Sequence, residues 1–143
     1  MNQPNPKQRW SESFTDPSGA AFKAIVSPGI TLEGSIFALP VHGREAVWMT
    51  LRAASDIYDS LAFTADAARD RRVYLEWNAT ALGMPIDGVT ILALDDYDQF
   101  TSVAIHRRPL AAVLAFSAEM GRRLAASPGA DHFYQTPAAA RTG

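Results

Sequence analysis

Residues Val73 to Ala81 alternate without a break: Val73, Leu75, Trp77, Ala79 and Ala81 are apolar, while Tyr74, Glu76, Asn78 and Thr80 between them carry polar groups. Side chains on a strand point to opposite faces with period two. This run therefore requires a sheet with one face buried and the other open to solvent or a partner. The division continues downstream. Val89, Ile91 and Ala93, then Val103 and Ile105, extend the apolar set, whereas Thr90, Leu92 and Leu94, then Phe100, Ser102, Ala104 and His106, extend the mixed one. The apolar set is assigned to the interior, with the proviso that a bulge exchanges the faces beyond it.

Strands are expected over Ile30–Glu33, Ser60–Ala67, Arg72–Ala81, Asp87–Leu94 and Phe100–Arg107, separated by turn-forming runs such as Gly83-Met84-Pro85 and Asp95-Asp96-Tyr97-Asp98. Helical spacing appears elsewhere. Trp10 and Phe14 stand four apart, and a second short helix runs from about Ser18 to Ser27. From Gly43 to about Tyr58, an apolar stripe of Val47, Leu51, Ala54 and Tyr58 opposes Glu45, Arg52 and Asp56. A last helix starts at Pro109 and runs to Leu124, with Leu110, Val113, Leu114, Ser117 and Leu124 as its stripe. The class is α+β, with helices packed on one face of an antiparallel sheet.

A chain of 143 residues, 48% apolar and 20% charged, fits one domain with its own core. We divide it into an N-terminal tail (1–6), a single α+β domain (7–126) and a C-terminal tail (127–143). The absence of cysteine excludes thiol nucleophiles, disulfides and cysteine-ligated zinc. The net charge of −2 argues against a dedicated nucleic-acid binder, and Arg69, Arg71 and Arg72 read as a solvated turn. No apolar run approaches the roughly 18 residues of a membrane span, and the polar first residues lack a signal-peptide stretch. A cytoplasmic protein is expected.

The interior set allows two readings. Ala79, Ala81 and Ala93 are small, while Trp48, Tyr58, Phe63 and Trp77 are large and border the same space. Either the rings fill the room the alanines leave, as close packing favours, or they line a cavity for a ligand.

Leu75-Glu76-Trp77 followed by Gly83 and Gly88, the Asp95 to Phe100 turn, Arg108-Pro109-Leu110, and Ile30-Thr31-Leu32-Glu33 followed by Gly43-Arg44-Glu45 occur in an order and spacing that resemble the nuclear-transport-factor-2-like superfamily, with its SnoaL-like polyketide cyclase and ketosteroid isomerase relatives. The resemblance covers about Gln8 to Leu124. It implies a cone-shaped barrel in which a curved antiparallel sheet wraps around N-terminal and C-terminal helices, a pocket inside the cone, and a homodimer through the sheet. In the isomerase branch a short-strand carboxylate moves a proton with help from a tyrosine on the first helix. Those positions fall on Gly34 and Trp10 here, and neither side chain does that work. The epoxide-hydrolase branch uses an aspartate, arginine and aspartate across the sheet. Its region here holds Ile105 or His106 opposite Leu75, Trp77 and Ala79.

Glu33, His42 and Asp56 are the candidates for acid–base chemistry, Glu33 because it adjoins the isomerase carboxylate position. Each also has a plain reading as a surface group. His42, His106 and His132 are too widely spaced for a metal pattern, so no metal and no cofactor is expected. Ligand contacts are assigned to Trp48, Tyr58, Phe63, Trp77, Ile91, Ile105 and Arg107. Arg107 is either a polar anchor for an anionic group or a salt-bridge partner of Asp87 or Asp56. Tyr74, Glu76, Asn78, Leu92 and Phe100 are expected on the outer face as a dimer surface. The preferred expectation is binding of a small, largely apolar molecule. The alternatives are an isomerase, cyclase or hydrolase using the same pocket, and an interaction module with a filled cone.

Overall fold

The computed structural model describes residues 5–135; the expectations for residues 1–4 and 136–143 lie outside them. The described chain folds as α1 (Pro6–Ser13), α2 (Ala20–Ile25), β1 (Val26–Gly34), β2 (Val41–His42), α3 (Arg44–Ile57), β3 (Tyr58–Arg69), β4 (Arg72–Ala81), β5 (Met84–Leu94), β6 (Phe100–Arg108) and α4 (Leu110–Arg123). Short helical turns follow at Ala125–Gly129 and Ala130–His132. The six strands form one sheet in the order β2-β1-β6-β5-β4-β3. Its pairs are antiparallel except β1 with β6, which run parallel, so the purely antiparallel sheet expected from the sequence is corrected at that edge.

Local chemistry accounts for the helix positions. Asn5 caps α1 by accepting a hydrogen bond from the Gln8 amide at 2.8 Å, and Pro6 fits the first turn, where its missing N–H costs nothing. Helix α3 buries Val47, Leu51, Ala54 and Ile57, and α4 buries Val113, Phe116, Ser117 and Met120. Leu110, placed in the apolar stripe of α4 by spacing, is 71% exposed, and Phe116 takes the interior position.

Turn geometry sets the register that the sequence misread. Leu82 and Gly83, with φ of 55° and 73°, form a two-residue hairpin joining β4 to β5, with both residues left-handed as such a turn demands. Ala81 therefore faces Met84, and odd-numbered residues on β4 oppose even-numbered ones on β5: Val73 faces Leu92, Leu75 faces Thr90, and Trp77 faces Gly88. The interior residues of β5 are Ile86, Thr90 and Leu92, all buried. Val89, Ile91 and Ala93 lie on the other face, contrary to their expected inward orientation. On β6, Val103, Ile105 and Arg107 point inward as expected, but a bulge at Thr101 turns Phe100 inward as well.

The aromatic core sits at the α1–α2 end. Trp10 packs edge-on against Phe14, Phe22 and Phe100 with ring centroids 5.1–5.6 Å apart. Trp48 joins through Phe14 and Phe22 at 5.8 and 5.4 Å. Beyond the expected domain limit at Ala126, Phe133 is buried against Phe37, with ring centroids 5.4 Å apart. The Tyr134 amide donates to Ser117 Oγ at 2.7 Å, which fixes this segment on α4.

Candidate functional site

Between α1, α3 and the inner face of the sheet lies a cavity of about 250 Å³. Trp10, Ser11 and Phe14 come from α1 and its C-terminal end, and Leu51, Ala54 and Ser55 from α3. The sheet contributes Tyr58, Leu61 and Phe63 from β3, Trp77 from β4, Thr90 from β5, and Ile105 and Arg107 from β6. Edge strand β3 is exposed along nearly its whole length, with Leu61 and Phe63 about 40% exposed, so the cavity opens beside β3.

Four side chains organise the Arg107 end of the cavity. Arg107 is 7% exposed and donates from Nε to Tyr58 Oη at 2.8 Å. Its guanidinium carbon stands 4.9 Å from the Phe116 ring centroid and 5.9 Å from that of Trp77. Tyr58 lies edge-on to Trp77 at 5.6 Å. The Trp77 indole donates from Nε1 to Thr90 Oγ1 at 3.1 Å, inside the protein. The indole also lies across Gly88: a β-carbon there would stand 2.4 Å from Trp77 Cζ2. Glycine is thus the residue that lets the ring lie flat over its strand neighbour.

The ligand-contact set assigned from sequence is partly assembled. Tyr58, Phe63, Trp77, Ile105 and Arg107 share the cavity wall. Ile91 does not, because register turns it outward opposite Tyr74. Trp48 does not either; it is buried in the aromatic core with its indole over Gly19. Trp10, Phe14, Leu51, Ala54, Leu61 and Thr90 belong to the wall without having been assigned to it. The spacing of Trp10 with Phe14, and of Leu51 with Ala54, was already the signal for them. Thr90 gave none, because a hydroxyl flanked by Val89 and Ile91 reads as the outward residue.

Glu33, His42 and Asp56 are all exposed and lie outside the cavity wall. Gly34 pairs with Ile105 across the parallel β1–β6 junction, where a β-carbon would come within 1.9 Å of the Ile105 carbonyl oxygen. The backbone itself forbids a carboxylate side chain at that position. Asp87 is on the outer face and pairs with Arg108 at 3.6 Å, so it is not the partner expected for Arg107.

The outer face carries a second hollow, about 390 Å³, with Glu76, Asn78, Asp87, His106 and Arg108 among its residues. Glu76, Asn78, His106 and Arg108 are exposed there, which gives a wet, mixed-charge surface in contrast to the inner cavity. Tyr74, Glu76 and Asn78 are on this face as expected, but Leu92 and Phe100 are fully buried on the inner side and present nothing to a partner.

No protein-family model matches the chain, and no curated protein matches it in sequence. Solved structures do match its fold. An uncharacterized protein conserved in bacteria, with a cystatin-like fold, from Silicibacter pomeroyi superposes with a TM-score of 0.78 at 15% identity, covering 86% of this chain and 87% of that one. A steroid delta-isomerase from Pseudomonas aeruginosa gives 0.74 at 22% identity, covering 86% and 93%. A hypothetical protein with a ketosteroid isomerase-like fold from Catenulispora acidiphila, in complex with trimethylamine, gives 0.59 at 17% identity, covering 81% and 94%. This chain has the nuclear-transport-factor-2-like fold, the curved α+β architecture that ketosteroid isomerase-like proteins share.

Proposed function

We propose that this chain binds a small, largely apolar organic molecule in the cavity between α1, α3 and the sheet. The observation that carries the reading is the wall itself: mainly aromatic and aliphatic side chains, from five of the six contributing elements, surround open space where a close-packed interior would place atoms. A cavity of about 150 Å³ takes up a benzene ring, so about 250 Å³ suits a molecule of one or two rings.

Binding is favoured over acid–base catalysis by what the wall offers. Proton abstraction needs an acceptor within about 3 Å of the substrate hydrogen. The ionisable side chains in the wall are Tyr58 and Arg107, and neither is a carboxylate or an imidazole.

The test fills the space. Ala54 is a small wall residue on α3, 5% exposed. Ala54→Phe adds a ring that leaves room for no more than a single-ring molecule in the cavity. Calorimetric titration with 2-naphthamide, a neutral two-ring probe, should show binding to the wild type and none to the variant. Stability should stay within about 1 kcal/mol, because the ring enters open space and does not overpack a filled core. Unchanged binding by Ala54→Phe would sink the proposal.

A further inference from the structure

We infer that the molecule held in this cavity carries a single anionic oxygen group of the carboxylate class, seated on Arg107; this rests on the binding reading above and specifies its ligand. Arg107 is more than nine-tenths buried, and its guanidinium is a cation with five N–H donors and no acceptor. A buried cation is costly unless an anion and hydrogen bonds compensate it. Among the described residues none of the ion pairs includes Arg107, and its Nη1 is buried without a hydrogen-bond partner. The faces of Phe116 and Trp77 offset part of the cost, since rings attract cations, but they supply no acceptor.

The neighbouring polar groups have the same polarity. Tyr58 Oη accepts from Arg107 Nε, so its own hydrogen remains to be donated. Thr90 Oγ1 accepts from Trp77 Nε1 and likewise keeps a hydrogen to give. The Arg107 end of the cavity thus holds a cation and two hydroxyl donors; its own wall has no carboxylate, and Glu76 and Asp87 line the outer hollow that Arg107 and Trp77 also border. Such a site takes up an acceptor, and charge-assisted donation favours a carboxylate over a neutral carbonyl. One guanidinium balances one charge, so a monoanion fits where a dianionic phosphate would bring a second, unpaired charge against an apolar wall. The guanidinium is also held in place by Tyr58 and two rings before any ligand arrives, which lowers the ordering cost of binding.

A matched pair of probes tests this on the full chain: 2-naphthoate and its neutral amide, 2-naphthamide, titrated calorimetrically at constant ionic strength. Wild type should bind the naphthoate on the order of ten- to a hundred-fold more tightly, the range for a hydrogen bond to a charged group. Arg107→Met, which keeps length and removes charge, should abolish that preference, the naphthoate losing more affinity than the amide. Equal affinities for the two probes in wild type would overturn the inference while leaving the binding reading intact. A naphthoate preference that survives in Arg107→Met would also overturn it. Failure of both probes to bind would take both readings down together. The wild-type comparison stands even if Arg107→Met does not fold.

Discussion

Replacing Gly88 by alanine probes the packing of Trp77, on which the Arg107 end of the cavity depends. The added carbon would lie 2.4 Å from Trp77 Cζ2 and 2.7 Å from the His106 carbonyl oxygen, whereas carbon atoms rest at about 3.5–4.0 Å. The carbonyl belongs to the β6 backbone, so the indole has to give way by about 1 Å. It is not free to do so: Nε1 is committed to Thr90 Oγ1 at 3.1 Å, and Tyr58 stands edge-on at 5.6 Å. Breaking the buried indole hydrogen bond costs about 1–3 kcal/mol. Overpacking adds a similar amount. Together these come to about 2–6 kcal/mol of lost stability. With a urea slope of about 2 kcal/mol/M, the denaturation midpoint of Gly88→Ala should fall by roughly 1–3 M at unchanged slope. Gly29→Ala is the control, since nothing lies within 4 Å of a β-carbon there. A Gly88→Ala midpoint indistinguishable from that of Gly29→Ala would show that the indole does not lie across β5 as described.

Two further predictions concern the sheet junction and α4. Gly34→Ala should lose more than about 3 kcal/mol, seen as a melting temperature lower by roughly 10 °C, because its β-carbon would meet the Ile105 carbonyl at 1.9 Å and part the strands that Ser35 N–H ties to that oxygen at 3.1 Å; a melting temperature within 2–3 °C of wild type would count against the close approach. Hydrogen bonds from Arg122 and then Arg123 hold Glu119 below the usual carboxylate range. A carboxyl depressed in the folded state stabilises above its unfolded pKa, and that contribution is lost as pH falls through the folded value. The stability gap between wild type and Glu119→Gln, below about 1 kcal/mol for so accessible a pair, should therefore be present at neutral pH and close on acidification. A gap that widened towards acid pH would contradict this sign.

What the sequence could disclose was decided by whether each residue type announced its own backbone. The β4 alternation did, and Leu75 and Trp77 point inward as read. The β4–β5 turn did not, because Leu82 sits at φ of 55°, a conformation in which a leucine gives no turn signal. That one turn moved Ile91 out and Thr90 in. Phe100 was lost to a bulge at Thr101, equally silent in composition. Trp48 sits beside the α3 stripe, and spacing along one helix could not tell cavity wall from aromatic core.

The register shift also changes the chemistry attributed to the cavity. Read with Ile91 inward, the wall beside Arg107 holds rings and aliphatic chains with no hydroxyl from β5, and the arginine is open to two readings, polar anchor or salt-bridge partner. With Thr90 inward, Trp77 is pinned by a hydroxyl, Tyr58 is engaged by the guanidinium, and both hydroxyls are left with a hydrogen to give. At Gly34, where the isomerase-type carboxylate position falls, the backbone excludes any side chain. The cavity of this chain therefore offers a guanidinium and hydroxyls but neither carboxylate nor imidazole. That set of groups supports the proposed holding of an oxyanion better than it supports proton abstraction.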